Sequence, residues 1–169
     1  MPITHKFKNA HHILHLAEEA LYEENKHNEH TVHIIHKFPT GVIDTQKEVM
    51  IIDPNQSLLK ILTHSFEAHG IKVKAHVEGS EALKDIISMG EDHHPALIIV
   101  ERQLPDMDGM DLCIELKNRF KTPIPFFMLT LFAADKDVSD GLSKGVEYIV
   151  KPFNISLLLQ KALQVLSQN

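Results

Sequence analysis

From Lys47 onward, short unbroken apolar runs alternate with stretches of helical periodicity. Val49-Met50-Ile51-Ile52 is apolar throughout and ends at Asp53. Gln56 to His69 carries apolar residues at helical spacing and stops at Gly70, a residue suited to ending a helix. Ile71 to Val77 alternates as a half-buried strand does. Ser80 is placed to cap a helix through Ser88, with Gly90 behind it. Ala96 to Val100 is a wholly apolar strand ending at Glu101, and Gly109 to Phe120 is amphipathic. Pro125 to Leu129 is apolar and ends at Thr130, and Asp135 to Lys144 is helical up to Gly145. Tyr148-Ile149-Val150 ends at Lys151-Pro152, and Asn154 is placed to cap a last helix through Leu166. Continuously apolar strands are what a parallel sheet covered on both faces requires. Their strict alternation with helices predicts a doubly wound α/β fold, with right-handed crossovers narrowing the topologies.

The first 46 residues have a different pattern. Ala10, Ile13, Leu14, Ala17, Ala20 and Leu21 recur at helical spacing, opposite His11, His12, His15, Glu18, Glu19, Tyr22 and Glu23. This predicts one amphipathic helix of about four turns, whose apolar stripe must dock on something. Thr31 to Phe38 is rich in β-branched residues, Pro39-Thr40-Gly41 marks a turn, and the chain to Gln46 reads as a linker. The expected organisation is a histidine-rich N-terminal extension, 1–46, and a globular domain, 47–169.

Composition narrows the class. The chain has 169 residues, 43% of them hydrophobic, enough for a real core. Its net charge of −6 and the lack of a basic stripe argue against direct nucleic-acid binding. A single cysteine, Cys113, excludes an internal disulfide framework and fits a reducing compartment. Met1 to His12 has no signal-peptide apolar region, and Ile124 to Ala134 is far short of a membrane span. A cytoplasmic protein without a membrane segment is the expectation.

Four polar residues fall at the carboxyl ends of predicted strands: Asp53, Glu101, Thr130 and Lys151. In open α/β sheets the ligand crevice lies at those ends. Any one of them alone reads as an ordinary solvated loop residue, whereas four at equivalent positions predict a shared pocket.

With these residues placed, Val49 to Leu166 resembles the receiver domain of two-component response regulators. The resemblance rests on Val49-Met50-Ile51-Ile52-Asp53, on Leu104-Pro105-Asp106-Met107-Asp108-Gly109, and on Tyr148-Ile149-Val150-Lys151-Pro152-Phe153. It implies a flavodoxin-like five-stranded sheet in the order 2-1-3-4-5. It also implies a site where an acidic pair and a strand-3 aspartate hold Mg²⁺ and that aspartate accepts a phosphoryl group. By position, Asp53 matches the first acid, Thr130 the switch hydroxyl, Lys151 the phosphate-binding lysine and Tyr148 the switch aromatic. Lys151-Pro152 matches a peptide bond that is usually cis in the family.

The departures from that pattern carry the functional reading. The second acid is replaced by Pro54, which offers no side-chain oxygen, and Asn55 supplies only a neutral one in another direction. The phosphoacceptor position is Glu101, whose carboxylate reaches one methylene further, and an ångström of misplacement costs about two orders of magnitude in rate. Leu131 stands where the family prefers a small residue that admits the phosphoryl group. Asp53 and Glu101 are left as the carboxylates for a weak Mg²⁺ site, and no other cofactor is expected. Glu101 is in reach of Lys151 for an ion pair that would partly mimic the charge of an acyl phosphate; drift in a disused pocket is the bland alternative.

Eight of the 13 histidines, His5, His11, His12, His15, His27, His30, His33 and His36, lie in the first 36 residues. Their spacings suit Zn²⁺, Ni²⁺ or Cu²⁺, against the plainer reading of a solvated, partly charged surface. One helix is too little for the four-helix bundle that a phosphotransfer role for His11 would need.

The expected function is therefore an atypical, degenerate receiver that is not an enzyme and acts by phosphorylation-independent protein contact. Its expected partner is a histidine kinase or a downstream signalling protein, or a second copy of the chain. With no output domain recognisable after Leu166, the fourth helix, fifth strand and fifth helix, about Asp135 to Leu166, are the expected contact face. The alternatives are a phosphorylation-competent receiver using Glu101, or a metal-responsive binding protein working through the N-terminal histidines. A flavin enzyme on this fold is disfavoured, because Asp53-Pro54-Asn55-Gln56-Ser57 is not a hydroxyl- and glycine-rich phosphate loop.

Overall fold

The computed structural model describes residues 47–90, 93–131 and 145–168. The N-terminal amphipathic helix, the Thr31–Phe38 strand and the Asp135–Lys144 helix fall outside these residues. The described chain runs β1 (Glu48–Ile52), α1 (Gln56–Glu67), β2 (Lys72–His76), α2 (Gly79–Met89), β3 (Leu97–Glu101), α3 (Gly109–Arg119), β4 (Phe126–Thr130), β5 (Val146–Val150) and α4 (Ile155–Gln168).

The five strands form one parallel sheet in the order β2-β1-β3-β4-β5, as the resemblance implied. In β1, β3 and β4 alternate side chains face opposite layers, and both layers are buried. Val49, Ile51, Leu97, Ile99, Phe127 and Leu129 pack with Leu62 and Phe66 of α1 and Leu159, Leu163 and Leu166 of α4. Met50, Ile52, Ile98, Val100, Phe126 and Met128 pack with Ala82 and Ile86 of α2 and Leu112, Cys113 and Leu116 of α3. This two-sided burial explains the unbroken apolar runs in the sequence. The edge strand β2, Lys-Val-Lys-Ala-His, has no wholly buried residue and alternates in polarity instead.

Most element ends shift by one or two residues from the sequence reading, β5 beginning at Val146 rather than Tyr148 and the last helix running to Gln168 rather than Leu166, and two of the differences have a physical reason. The first helix ends at Glu67 rather than His69, and the chain unwinds through a turn to Gly70, whose φ of 76° lies in the left-handed region. Ser80 is not the cap of the second helix. That helix begins at Gly79, and the residue before it, Glu78, makes no capping bond. Its first amides donate to Asp106 instead, Gly79 N to Oδ1 at 2.9 Å and Ser80 N to Oδ2 at 2.8 Å. A carboxylate 26 and 27 residues away in sequence thus does the work assigned to a local hydroxyl. Asn154 caps the last helix as read, accepting from Leu157 N at 3.1 Å. Among the described residues, no helix is long and apolar enough to cross a membrane.

Candidate functional site

The carboxyl ends of β1, β3, β4 and β5 meet at one rim of the sheet, and parallel register brings their terminal residues level. Asp53 directly follows β1, and its amide donates to the His76 carbonyl at 3.1 Å, which pins it to the end of β2. Glu101 and Thr130 are the last residues of β3 and β4, paired through Glu101↔Leu129. Lys151 follows β5, and its amide donates to the Thr130 carbonyl at 2.7 Å. The Lys151–Pro152 bond is cis, as the resemblance implied.

The side chains converge as their positions predict. Asp53 is 1% exposed and Glu101 7%, and Thr130 is buried beside them in sequence register. The Lys151 ammonium reaches both acids, lying 2.6 Å from Asp53 Oδ2 and 2.5 Å from Glu101 Oε2. Burial works against the charge on Lys151, but its hydrogen bonds and charge interactions with Asp53 and Glu101 outweigh that and raise its pKa. The expected Glu101–Lys151 pair is therefore present, and it is one arm of a triad that includes Asp53.

The remaining oxygens of the triad are also engaged. Asp53 Oδ1 accepts from Asn55 N at 2.8 Å, closing a turn over Pro54, and Glu101 Oε1 accepts from Gln103 N at 3.1 Å. Asn55 turns its side-chain oxygen to Ser57 N and Leu58 N, each at 3.1 Å, as the N-cap of α1. Pro54 is exposed and brings no oxygen. A Mg²⁺ ion asks for several free oxygen donors in near-octahedral array. Each carboxylate oxygen of Asp53 and Glu101 already accepts a hydrogen bond or ion pair, and the neutral oxygen of Asn55 serves a helix end. The donor set in this conformation does not fit the ion that the resemblance implied, even as a weak site. Among the described residues, no group of three or more histidine, cysteine or acidic side chains is placed to hold a metal.

Two of the residues singled out in the sequence lie apart from the triad. Leu131 is 66% exposed, so it lies at the surface and not among the pocket's buried groups. Tyr148 is half-buried in β5 and packs against the layer holding α2 and α3. Its hydroxyl accepts a long hydrogen bond, 3.4 Å, from Arg102 Nη1.

Arg102 escaped the sequence reading. Its Nε lies 3.1 Å from Asp108 Oδ1 and 3.2 Å from Oδ2, so the guanidinium ties the start of α3 to Tyr148. Asp108 also caps α3 through Met110 N at 2.8 Å, and an aspartate directly before Gly109 was a readable sign of that cap. Gly109 lets α3 abut the end of β3: its amide donates to the Arg102 carbonyl at 2.7 Å, and a Cβ there would run into the Glu101 carbonyl oxygen. The loop from Arg102 to Asp108 is thus held at α2 by Asp106 and at α3 by Gly109. Asp106 is pulled down in pKa, since the slight burial that would raise it is outweighed by the amides of Ser80 and Gly79. The lone thiol of Cys113 is buried in the apolar layer, and burial pushes its pKa up to about 12, so it is chemically quiet.

Comparison with known proteins agrees with this geometry. Residues 49–163 match the model of the response regulator receiver domain. The chain is 32% identical over 109 residues to the alkaline phosphatase synthesis transcriptional regulatory protein PhoP of Bacillus subtilis, covering 64% of this chain and 43% of that protein. It is 30% identical over 129 residues to the DNA-binding response regulator MtrA of Mycolicibacterium smegmatis, covering 75% of this chain and 54% of that one. The chain thus spans about half the length of these curated relatives. A two-component response regulator from Clostridium difficile aligns with TM-score 0.63 and 28% identity, over 71% of this chain and 95% of that one. The receiver sheet, the rim that gathers Asp53, Glu101, Thr130 and Lys151, and the match over residues 49–163 place this chain in the response regulator receiver domain family of two-component signalling.

Proposed function

We propose that this receiver domain signals by protein–protein contact without phosphoryl transfer, and that it is not an enzyme. The observation that supports this reading is the engagement of Lys151. In a phosphoryl-accepting pocket a nucleophilic carboxylate must present a free oxygen to the donor. Glu101 has one oxygen on Gln103 N and the other on Lys151, and Asp53 is held by the same ammonium. Pro54 removes the carboxylate that would draw a metal ion into this arrangement.

The triad joins the ends of β1, β3 and β5 by charge, as a bound phosphoryl group would by accepting from the lysine. The mimicry is partial, because one carboxylate carries one charge against nearly two on a phosphate. A domain so joined presents one standing conformation to its partner. The partner is a protein, a histidine kinase, a downstream signalling protein or a second copy of the chain, met in a cytoplasmic setting. The contact face includes β5 and α4. The transcriptional and DNA-binding roles in the relatives' names belong to proteins roughly twice the length of the shared segment, and this proposal attaches to the shared segment alone.

The test is incubation with acetyl phosphate and Mg²⁺ followed by mass spectrometry of the intact chain. No phosphoryl adduct is expected on the parent or on Glu101→Asp, whereas Pro54→Asp combined with Glu101→Asp should accept one. An adduct localised to Glu101 in the parent would overturn the proposal. Phosphorylation of the single Glu101→Asp variant would show that the lost second acid is immaterial.

A further inference from the structure

At the end of the sheet opposite the acidic rim, the residues leading into β4 and β5 and the last turns of α3 and α4 border an open cavity of about 480 Å³. We propose that this cavity binds a small amphipathic carboxylate, an anionic head on an apolar body. Phe120 and Ile124, both buried, and Pro125 and Val165, both half-buried, give it an apolar lining. The charged residues that line it, Lys117 and Lys121, are both cations. Clefts of roughly 300–1,000 Å³ that are mostly apolar and carry a few placed polar groups are the usual sites for small organic ligands. An anionic head meets two ammonium groups here and an apolar body meets the remaining lining. A cationic ligand would face like charge, with no carboxylate among the described lining residues to offset it.

Lys117 is pre-positioned for this role. Its Nζ lies 5.5 Å from the centre of the Phe126 ring, close enough for the ring face to attract it. Gly145 borders the ammonium: a Cβ there would lie 3.5 Å from Nζ, and its φ of 66° is one that glycine adopts without strain. Helix carbonyl ends repel anions, and two helices end at this cavity. Both ends are met by cations. Lys47 Nζ donates to the Leu166 carbonyl of α4 at 2.6 Å, and α3 carries Lys117 and Arg119 in its last turn. Lys121 lies beyond the end of α3 and is exposed, so it adds a further positive group at the cavity.

The experiment titrates sodium decanoate, below its micelle concentration, into the full chain and follows the backbone amides by nuclear magnetic resonance. Decyltrimethylammonium serves as the cation of matching chain length. Decanoate should bind saturably and shift the amides of Phe120, Gly145 and Val165, while the cation should bind at least about tenfold more weakly. Lys117→Glu combined with Lys121→Glu should weaken decanoate binding by at least about tenfold. Lys121→Glu alone, at an exposed position, should weaken it by at least about threefold, and it decides the matter if the double variant fails to fold. The variants retain all 13 histidines, so a carboxylate held by those residues would be insensitive to the exchanges. Unsaturable binding, shifts centred away from these residues, equal binding of the cation, or decanoate binding unchanged in Lys121→Glu would overturn the proposal.

Discussion

Replacing Gly109 by alanine sets two opposing effects against each other at the back of the pocket. Gly109 is the first residue of α3, and alanine there gains at most about 1 kcal/mol of helix propensity. The added Cβ would run into the carbonyl oxygen of Glu101 and come within 3.2 Å of its carbonyl carbon and of Val100 Cγ2. Those backbone atoms cannot step aside, because β3 lies between β1 and β4 in the sheet interior. Forcing atoms into a packed site costs about 1–3 kcal/mol, and the upper end applies where the neighbour is backbone. The clash outweighs the propensity, and a net loss of about 1–2 kcal/mol follows. For a domain of this size that lowers Tm by roughly 4–8 °C. Gly79, the first residue of α2, is the control. A Cβ there meets Met107 Cγ and Sδ at 2.7 Å and Leu104 Cδ1 at 2.9 Å, all side-chain atoms. Methionine adapts readily, so Gly79→Ala should stay within about 1 kcal/mol of the parent. Urea denaturation followed by circular dichroism gives both midpoints. Gly109→Ala as stable as the parent, or no worse than Gly79→Ala, would refute the account of how α3 seats against β3.

Further outcomes follow from the charged groups. Asp106→Ala removes the acceptor of two helix amides and should cost about 1 kcal/mol in the same denaturation assay; no loss would mean that water caps α2 equally well. For Asp85, burial tends to raise the pKa, but the hydrogen bonds and charges of Lys74 and His76 outweigh it and lower the pKa overall. Its stabilisation is therefore present above the ordinary aspartate range and is lost as pH falls through the depressed folded value, so Asp85→Asn should lower Tm near neutrality and converge with the parent in acid. Lys151 has the opposite sign: its raised pKa means its contribution is complete below the ordinary lysine value and is lost as pH climbs through the folded one. The stability gap between the parent and Lys151→Met should accordingly narrow at the alkaline extreme, and a gap unchanged by pH would show that the ion pairs contribute nothing. Arg102→Ala should shift the Tyr148 ring resonances in nuclear magnetic resonance spectra, because it removes the hydrogen bond that Arg102 Nη1 donates to the hydroxyl; an unmoved Tyr148 would show the 3.4 Å contact to be idle.

The sheet was legible because its signals are local. Unbroken apolar runs mark β1, β3 and β4, and each ends at a buried polar residue on the same rim of the sheet. Asp53, Glu101 and Lys151 could be placed together from strand ends alone, since a parallel sheet aligns those ends. What the sequence withheld depends on side-chain direction and on distant partners. Nothing near Ser80 shows that Asp106 will cap its helix from the next crossover. Arg102 looks like an ordinary loop residue until Tyr148 is seen beside it. Leu131 reads by position as a neighbour of the pocket, and its 66% exposure is a matter of packing that the sequence does not show. The lysine between Asp53 and Glu101 was half legible: a pair with Glu101 follows from reach, whereas the shared grip on Asp53 needs the geometry of β1 and β5 together.

The polarity of β2 bears on how the molecule behaves at high concentration. A sheet edge carries unpaired backbone donors and acceptors, and a second copy could add its own edge there and begin a growing fibre. Pairing two β2 strands about their midpoint would set Lys74 directly against Lys74, and like charges across a strand pair repel. Each Lys74 already holds Asp85 at 3.0 Å, so relief would require surrendering that ion pair. Lysine-rich β2 thereby closes one edge of the sheet to runaway polymerisation, and replacing Lys72 and Lys74 by valine or threonine would open that edge to it.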